Sequence, residues 1–268
     1  MLIKESHVDV NTSSGLMRVH IYAPNLARYP NARFPGVAVF TEIYQVTGPV
    51  ERFCRKIASE GHVVACPESY HEFEPIGTVI PYDNEGTDRG NKYKIQKELS
   101  AYDEDAKLTL DVLAQHSKCN GRLAATGMCL GGHLAFRCAF DKRVEAAVCY
   151  FATDIHSETL GKGKKSDSLV RCKEITGELL MIFGKQDTHI PTDGRQLIYN
   201  TLTKDNVIFS WCEYQAQHAF IRDESSKDRY DAALSRVCFE SMMELFKRTI
   251  WLQRGEAESG HEKIEHVC

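Results

Sequence analysis

The chain has 268 residues, 43% hydrophobic and 26% charged, a balance that suits a globular protein with a real core and excludes a disordered or collagen-like chain. Its formal charge of −4 offers none of the basic surplus that a nucleic-acid-binding face requires. No apolar run reaches the ~18 residues needed to span a bilayer, and the opening MLIKESHVDV does not read as a signal peptide.

Two N-terminal strands are expected around residues 7–10 and 16–23, forming an antiparallel edge because apolar and polar residues alternate in LMRVHIYA. Short apolar runs then alternate with helix-period stretches. Strands are expected at 36–41, 62–66, 123–126, 146–150, 179–183 and 207–214, with helices at 50–60, 98–116, 130–140, 193–203 and 227–247. That alternation predicts strand–helix–strand units around a mostly parallel sheet of about eight strands, with helices on both faces. One α/β domain over residues 1–250 and a polar tail over 251–268 follow from it. Residues 67–97 and 155–176 fit neither period and read as long loops, the lysine run GKGKKSDS being a solvated one.

The ten cysteines include no CxxC pair, which argues against structural zinc and against a disulfide framework. The expectation is a reduced, cytoplasmic protein without metal or cofactor, in which most cysteines are small buried hydrophobes.

The strongest chemical signal is GMCLGG, residues 127–132, between an expected strand and an expected helix. It has the spacing of a nucleophile elbow with cysteine in place of serine. Glycines flank the nucleophile because the backbones of strand and helix must approach closely there, and the helix start favours a thiolate. Downstream, Asp187 in GKQD follows the strand at 179–183, and His218 follows the strand at 207–214. Catalytic groups of open parallel sheets gather at those carboxyl ends. Cys129, Asp187 and His218 stand in the nucleophile–acid–base order of an α/β-hydrolase. Four other histidines compete less well. His133 falls inside the helix after the elbow and reads as structural, His189 is a weaker alternative base, and His71 and His156 lie in the two long loops.

On TEIYQVTG (41–48), VVACPESY (63–70), GMCLGG, GKQDTHIP (184–191) and QHAFIR (217–222), the chain resembles the dienelactone hydrolase family, the cysteine branch of the α/β-hydrolases, over roughly residues 35–246. The resemblance implies further roles. Glu42 would contact and gate the nucleophilic thiol, Ile43 and Leu130 would supply the oxyanion-hole N–H groups, and Arg222 and Arg89 would bind a substrate carboxylate. The chain departs from the family at Met128, where Tyr is frequent, and at Gln45, where Gly is frequent.

The expected activity is hydrolysis of a lactone, such as a dienelactone-like enol-lactone, or of an activated carboxylic ester, and the two arginines of the resemblance imply an anionic substrate. Rival readings are a thioesterase or broad carboxylesterase, and a non-catalytic small-molecule binder on the same fold. A small-molecule ester or lactone would be the partner of a monomer or homodimer that engages neither nucleic acid nor membrane.

Overall fold

The computed structural model describes residues 1–252. The tail expected over 251–268 therefore lies, from residue 253 onward, outside the described residues. Its first residue, Trp251, packs on the domain: the indole meets Phe34 edge-on at 6.4 Å and its N–H donates to His62 Nε2 at 3.0 Å.

Eight strands form one sheet: β1 (Ile3–Thr12), β2 (Gly15–Pro24), β3 (Phe34–Phe40), β4 (Val63–Pro67), β5 (Cys119–Met128), β6 (Val144–Tyr150), β7 (Glu178–Gly184) and β8 (Phe209–Tyr214). Their spatial order is β1-β2-β4-β3-β5-β6-β7-β8. The pairs β1–β2 and β2–β4 are antiparallel and every other pair is parallel, as the alternating N-terminal pattern and the apolar runs require. β3 and β4 are buried along their whole length, so they carry no outward polar face.

Among the described residues seven α-helices connect and cover the strands: α1 (Gly48–Ser59), α2 (Asn84–Gln96), α3 (Leu99–Gln115), α4 (Leu130–Cys138), α5 (Ser168–Arg171), α6 (Thr192–Lys204) and α7 (Ala232–Phe246). The last begins five residues later than its apolar spacing suggests. Asp231 caps it by accepting the Leu234 N–H at 2.9 Å, and Lys227 and Asp228 before it are left-handed, at φ 52° and 62°. No described helix is long and apolar enough to cross a membrane.

Both stretches expected as loops carry structure. Residues 67–97 contain α2, which has no apolar stripe because it docks through glycine. A Cβ at Gly86 would lie 2.0 Å from the Pro81 carbonyl oxygen, and one at Gly90 2.3 Å from that of Ile43. The segment is anchored by the fully buried Lys97, whose ammonium donates to Asp105 and Glu72, both at 2.7 Å, and to the Ser69 carbonyl at 3.0 Å. A buried cation persists only when paired and hydrogen-bonded in this way. Residues 155–176 contain α5 and clamp α4. Ser168 Oγ meets His133 Nε2 at 2.6 Å, and Asp167 accepts from Arg137 at 2.7 Å. Lys162, in the lysine run, forms an exposed pair with Glu98, of the kind worth at most ~1 kcal/mol.

Chain order and spatial order reverse between β3 and β5: β4 lies on one side of β3 and β5 on the other. A crevice opens at such a reversal, beyond the carboxyl ends of the strands. Glu42 follows β3 and Cys129 follows β5, one on each side of it.

Candidate active site

Two backbone approaches explain GMCLGG. A Cβ at Gly127 would stand 2.3 Å from the Gly131 carbonyl oxygen, and one at Gly131 would stand 2.1 Å from that of Phe40. Only hydrogen fits at either place, so α4 can press against β3 and β5 only with glycine there. Between them Cys129 takes φ 59° and ψ −121°, a conformation that costs a non-glycine residue ~1–3 kcal/mol and is kept where surroundings over-determine it. They do so here: the Cys129 N–H donates to Tyr150 O at 3.1 Å, and its carbonyl accepts from Gly132 and Thr153 at 3.1 and 3.3 Å. The bend holds a half-buried thiol at the start of α4, where free N–H groups and the helix dipole favour negative charge.

Asp187, on the turn after β7, is buried and uses both carboxylate oxygens. One accepts the His189 N–H at 2.8 Å and the other meets His218 Nδ1 at 2.7 Å. The bond at Nδ1 fixes the ring and leaves Nε2 for chemistry. Burial disfavours a charged His218, but the Cys129 sulfur and the Asp187 hydrogen bond outweigh it and carry the pKa up to about 10. A histidine raised from its ordinary value of about 6.5 stabilises the fold fully below that value and loses the contribution as pH climbs towards 10. The Tm advantage of the native protein over His218→Gln is therefore expected to shrink steadily between pH 6.5 and pH 10. An advantage that stays constant over that range contradicts the charged pair.

Cys129 and His218 line one cavity of about 290 Å³ together with Glu42, Ile43, Lys94, Asp154 and Arg222. A roomier groove of about 590 Å³ runs along β7, β8 and α7 and holds none of them. Glu42 is almost fully buried. One of its oxygens accepts from Arg222 at 3.1 Å and the other from the Tyr82 hydroxyl at 2.9 Å. Arg222 in turn lies 4.2 Å over the Tyr82 ring and donates to Ser225 O at 2.9 Å. The arginine and the gating carboxylate implied by the resemblance thus sit in one cavity, bound to each other. Leu130 opens α4, so its N–H has no acceptor within the helix, and Ile43 lines the cavity beside Glu42.

Arg89 is a correction. It is not among the residues lining the cavity, and its guanidinium pairs with Glu74 and reaches the Tyr93 hydroxyl at 3.4 Å. The helix explains why. Gly90 faces inward onto Ile43, and a helical neighbour is rotated by ~100° from it, which turns Arg89 away. The residue four further on shares the Gly90 face. That residue is Lys94, which lines the cavity and holds Asp154 with two contacts of 2.9 Å.

The competing histidines are placed as follows. His133 is fully buried against Ser168, and burial pushes its pKa down to about 3. His189 lies edge-on to His218 with ring centroids 4.5 Å apart. His71 belongs to the Lys97–Asp105 cluster, and His156 packs on Gly194. Gln45 is left-handed, φ 69°, and offsets that strain by accepting the Tyr70 N–H at 3.0 Å. Tyr82, Lys94, Lys227 and Arg229 line the cavity without having stood out in sequence. Only the helical phase of Lys94 relative to Gly90 could have pointed to one of them.

The sequence profile described as "Dienelactone hydrolase family" matches residues 22–250. The chain belongs to the dienelactone hydrolase family. It is 50% identical over 275 residues, covering all of both chains, to a Saccharomyces cerevisiae relative named "Putative carboxymethylenebutenolidase". It is 25% identical over 253 residues to the carboxymethylenebutenolidase of Pseudomonas sp. strain P51, covering 92% of this chain and 96% of the relative. Among solved structures, a dienelactone hydrolase-like promiscuous phosphotriesterase from metagenomic libraries superposes with a TM-score of 0.74 at 17% identity, over 92% of this chain and 98% of the other. The architecture is that of the α/β-hydrolases, and membership places this dienelactone hydrolase relative among hydrolases of the lactone and ester type.

Proposed function

We propose that the protein hydrolyses an anionic enol-lactone or activated carboxylic ester through a thioester intermediate on Cys129. The observation that carries this reading is the 2.7 Å Asp187–His218 bond, set in the same cavity as a cysteine held in a strained bend. The Cys129 thiolate adds to the substrate carbonyl. The oxyanion forms against the N–H groups of Ile43 and Leu130, each such donor being worth ~3 kcal/mol. Collapse expels the leaving oxygen, which takes the proton from His218. The neutral imidazole then draws a proton from water, whose oxygen attacks the thioester and returns the sulfur. A thiolate departs from a tetrahedral intermediate more readily than an alkoxide, which suits cysteine to activated esters and lactones and not to amides. The completed acid–base pair also argues against a mere binder on this scaffold.

Glu42 would gate the sulfur. While Arg222 and Tyr82 hold it, its charge is compensated; a substrate carboxylate competing for Arg222 releases it towards Cys129, where its carboxylate takes the thiol proton and hands it back to the sulfur once water has released the acyl group. The purified protein is expected to turn over enol-lactones and p-nitrophenyl esters faster than acyl-thioesters. Iodoacetamide is expected to stop it, and substrate to protect it. Turnover indifferent to iodoacetamide removes the covalent route, and preference for the thioesters assigns a thioesterase instead.

The Arg222→Ala variant is expected to lower the ratio of kcat/KM for anionic over neutral esters about tenfold, the equivalent of ~1.4 kcal/mol, mainly through KM. Arg89→Ala, outside the cavity, is expected to leave that ratio within about twofold. If the two variants exchange these results, the carboxylate is read on α2 and not at Arg222.

A further inference from the structure

We infer that residues 225–229 form a second anion-reading site for the same cavity, in which Arg229 and Lys227 bind a carboxylate carried at the far end of the substrate's acyl chain. The inference rests on the hydrolytic reading above and adds a substrate class to it: esters or lactones with two acidic ends, or with one acidic end remote from the scissile carbonyl.

The cavity's charges carry the argument. Besides the Cys129–His218 pair, six lining side chains bear full charges: Glu42, Lys94, Asp154, Arg222, Lys227 and Arg229. Four of them cancel in pairs, Glu42 with Arg222 and Lys94 with Asp154. Among the described residues, Lys227 and Arg229 form no salt bridge; the one side-chain hydrogen bond of Arg229 goes to the His218 carbonyl at 3.5 Å. Two unspent cations therefore face a cavity of about 290 Å³ in a chain whose overall charge is −4. The field reaches the catalytic end. Burial first, then the His218 charge, push His189 down, with Lys94 and Arg229 adding to it.

The backbone supports the same assignment. Ser225, Lys227 and Asp228 are all left-handed, at φ 49°, 52° and 62°. Non-glycine residues reach that region at a cost of ~1–2 kcal/mol each, so the loop is held open by its surroundings. Arg222 fixes it at one end through Ser225 O, and at the other the Asp231 N–H donates to Phe220 O at 2.9 Å. The loop is thereby tied to Arg222 itself. Cations at the mouth of a small cavity concentrate and orient an anionic ligand, and a guanidinium matches a carboxylate fork to fork. With Arg89 turned away, Lys227 and Arg229 are the lysine and arginine of the cavity lining that, among the described residues, have no carboxylate partner.

The test compares mono-p-nitrophenyl glutarate with p-nitrophenyl pentanoate, which has the same chain length without the terminal carboxylate. In the native protein the kcat/KM ratio, glutarate over pentanoate, is expected to exceed ten and to fall as salt is raised from 20 to 500 mM, roughly the interval over which screening becomes strong. In Arg229→Gln/Lys227→Gln the ratio is expected to drop at least tenfold, and Arg229→Lys is expected to restore part of it. A ratio that the double variant leaves in place overturns the inference, whether both rates fall together or neither falls. If the native protein hydrolyses neither ester, the hydrolytic reading fails by itself. The anion site is then judged by titration calorimetry of glutarate on Cys129→Ala. Adding Arg229→Gln/Lys227→Gln is expected to weaken that binding at least tenfold, and equal affinity, or no binding to Cys129→Ala at all, rejects it.

Discussion

Replacing Cys129 by alanine is expected to reduce ester and lactone turnover by at least ~10⁴-fold, since in the proposed mechanism loss of a nucleophile that acts as a unit with its base removes the whole covalent route. The melting temperature should change little. Alanine meets the same left-handed bend at φ 59°, and the removed atom is a half-buried sulfur at a cavity edge, not a core group. Cys129→Ser separates geometry from reactivity. Its oxygen occupies the same place, but a hydroxyl is far less acidic than a thiol, so serine is expected to recover only a small part of the loss. Turnover by Cys129→Ala near the native rate would mean that water is activated directly and that no thioester forms. A spectrophotometric assay with p-nitrophenyl esters, paired with a thermal melt, decides it.

The second large effect concerns stability. Gly131→Ala puts a methyl group 2.1 Å from the Phe40 carbonyl oxygen, 2.5 Å from its carbon and 2.7 Å from the Thr41 oxygen. All three neighbours are backbone, so none can swing aside. Overpacking that side chains can absorb costs ~1–3 kcal/mol; here α4 or β3 must shift, and a loss of at least ~3 kcal/mol is expected. Because α4 begins at Leu130, any shift also moves the Leu130 N–H and the Cys129 sulfur. Activity should therefore fall in whatever fraction remains folded. Denaturant titration of native protein and variant measures the first effect, and specific activity of the folded fraction the second. A variant as stable as the native chain would mean that the strand–helix approach is looser than 2.1 Å implies.

Much of this was readable from the residues alone because the signals are local. An apolar run of strand length needs no partner to be recognised, and six such runs appear as the parallel strands of the sheet. The elbow is equally local: glycines at 127 and 131 around a reactive residue report a backbone crossing that no other residue permits. Asp187 and His218 are legible from the strands they follow, the buried β7 and the half-buried β8. What escaped has a common cause. α2 docks through Gly86 and Gly90, so its inner face carries no hydrophobic period, and a helix that is flat where it packs reads as loop. Without the helix there was no phase by which to see that Arg89 points away and Lys94 points in. The later start of α7 turned on the Asp231 cap and on left-handed residues just before it, and apolar spacing is blind to both. Tyr82 and Arg229 reach the cavity from irregular segments whose course depends on the assembled sheet.

The sheet's order also bears on how the molecule comes into being. The sulfur's bend is complete once β3, β5, α4 and β6 have packed and Thr153 has reached the Cys129 carbonyl, all from the first 153 residues, whereas the imidazole arrives behind β8, the outermost strand at that edge. If His218 serves Cys129 as proposed, a growing polypeptide carries the thiol without its base until the end of the sheet is in place.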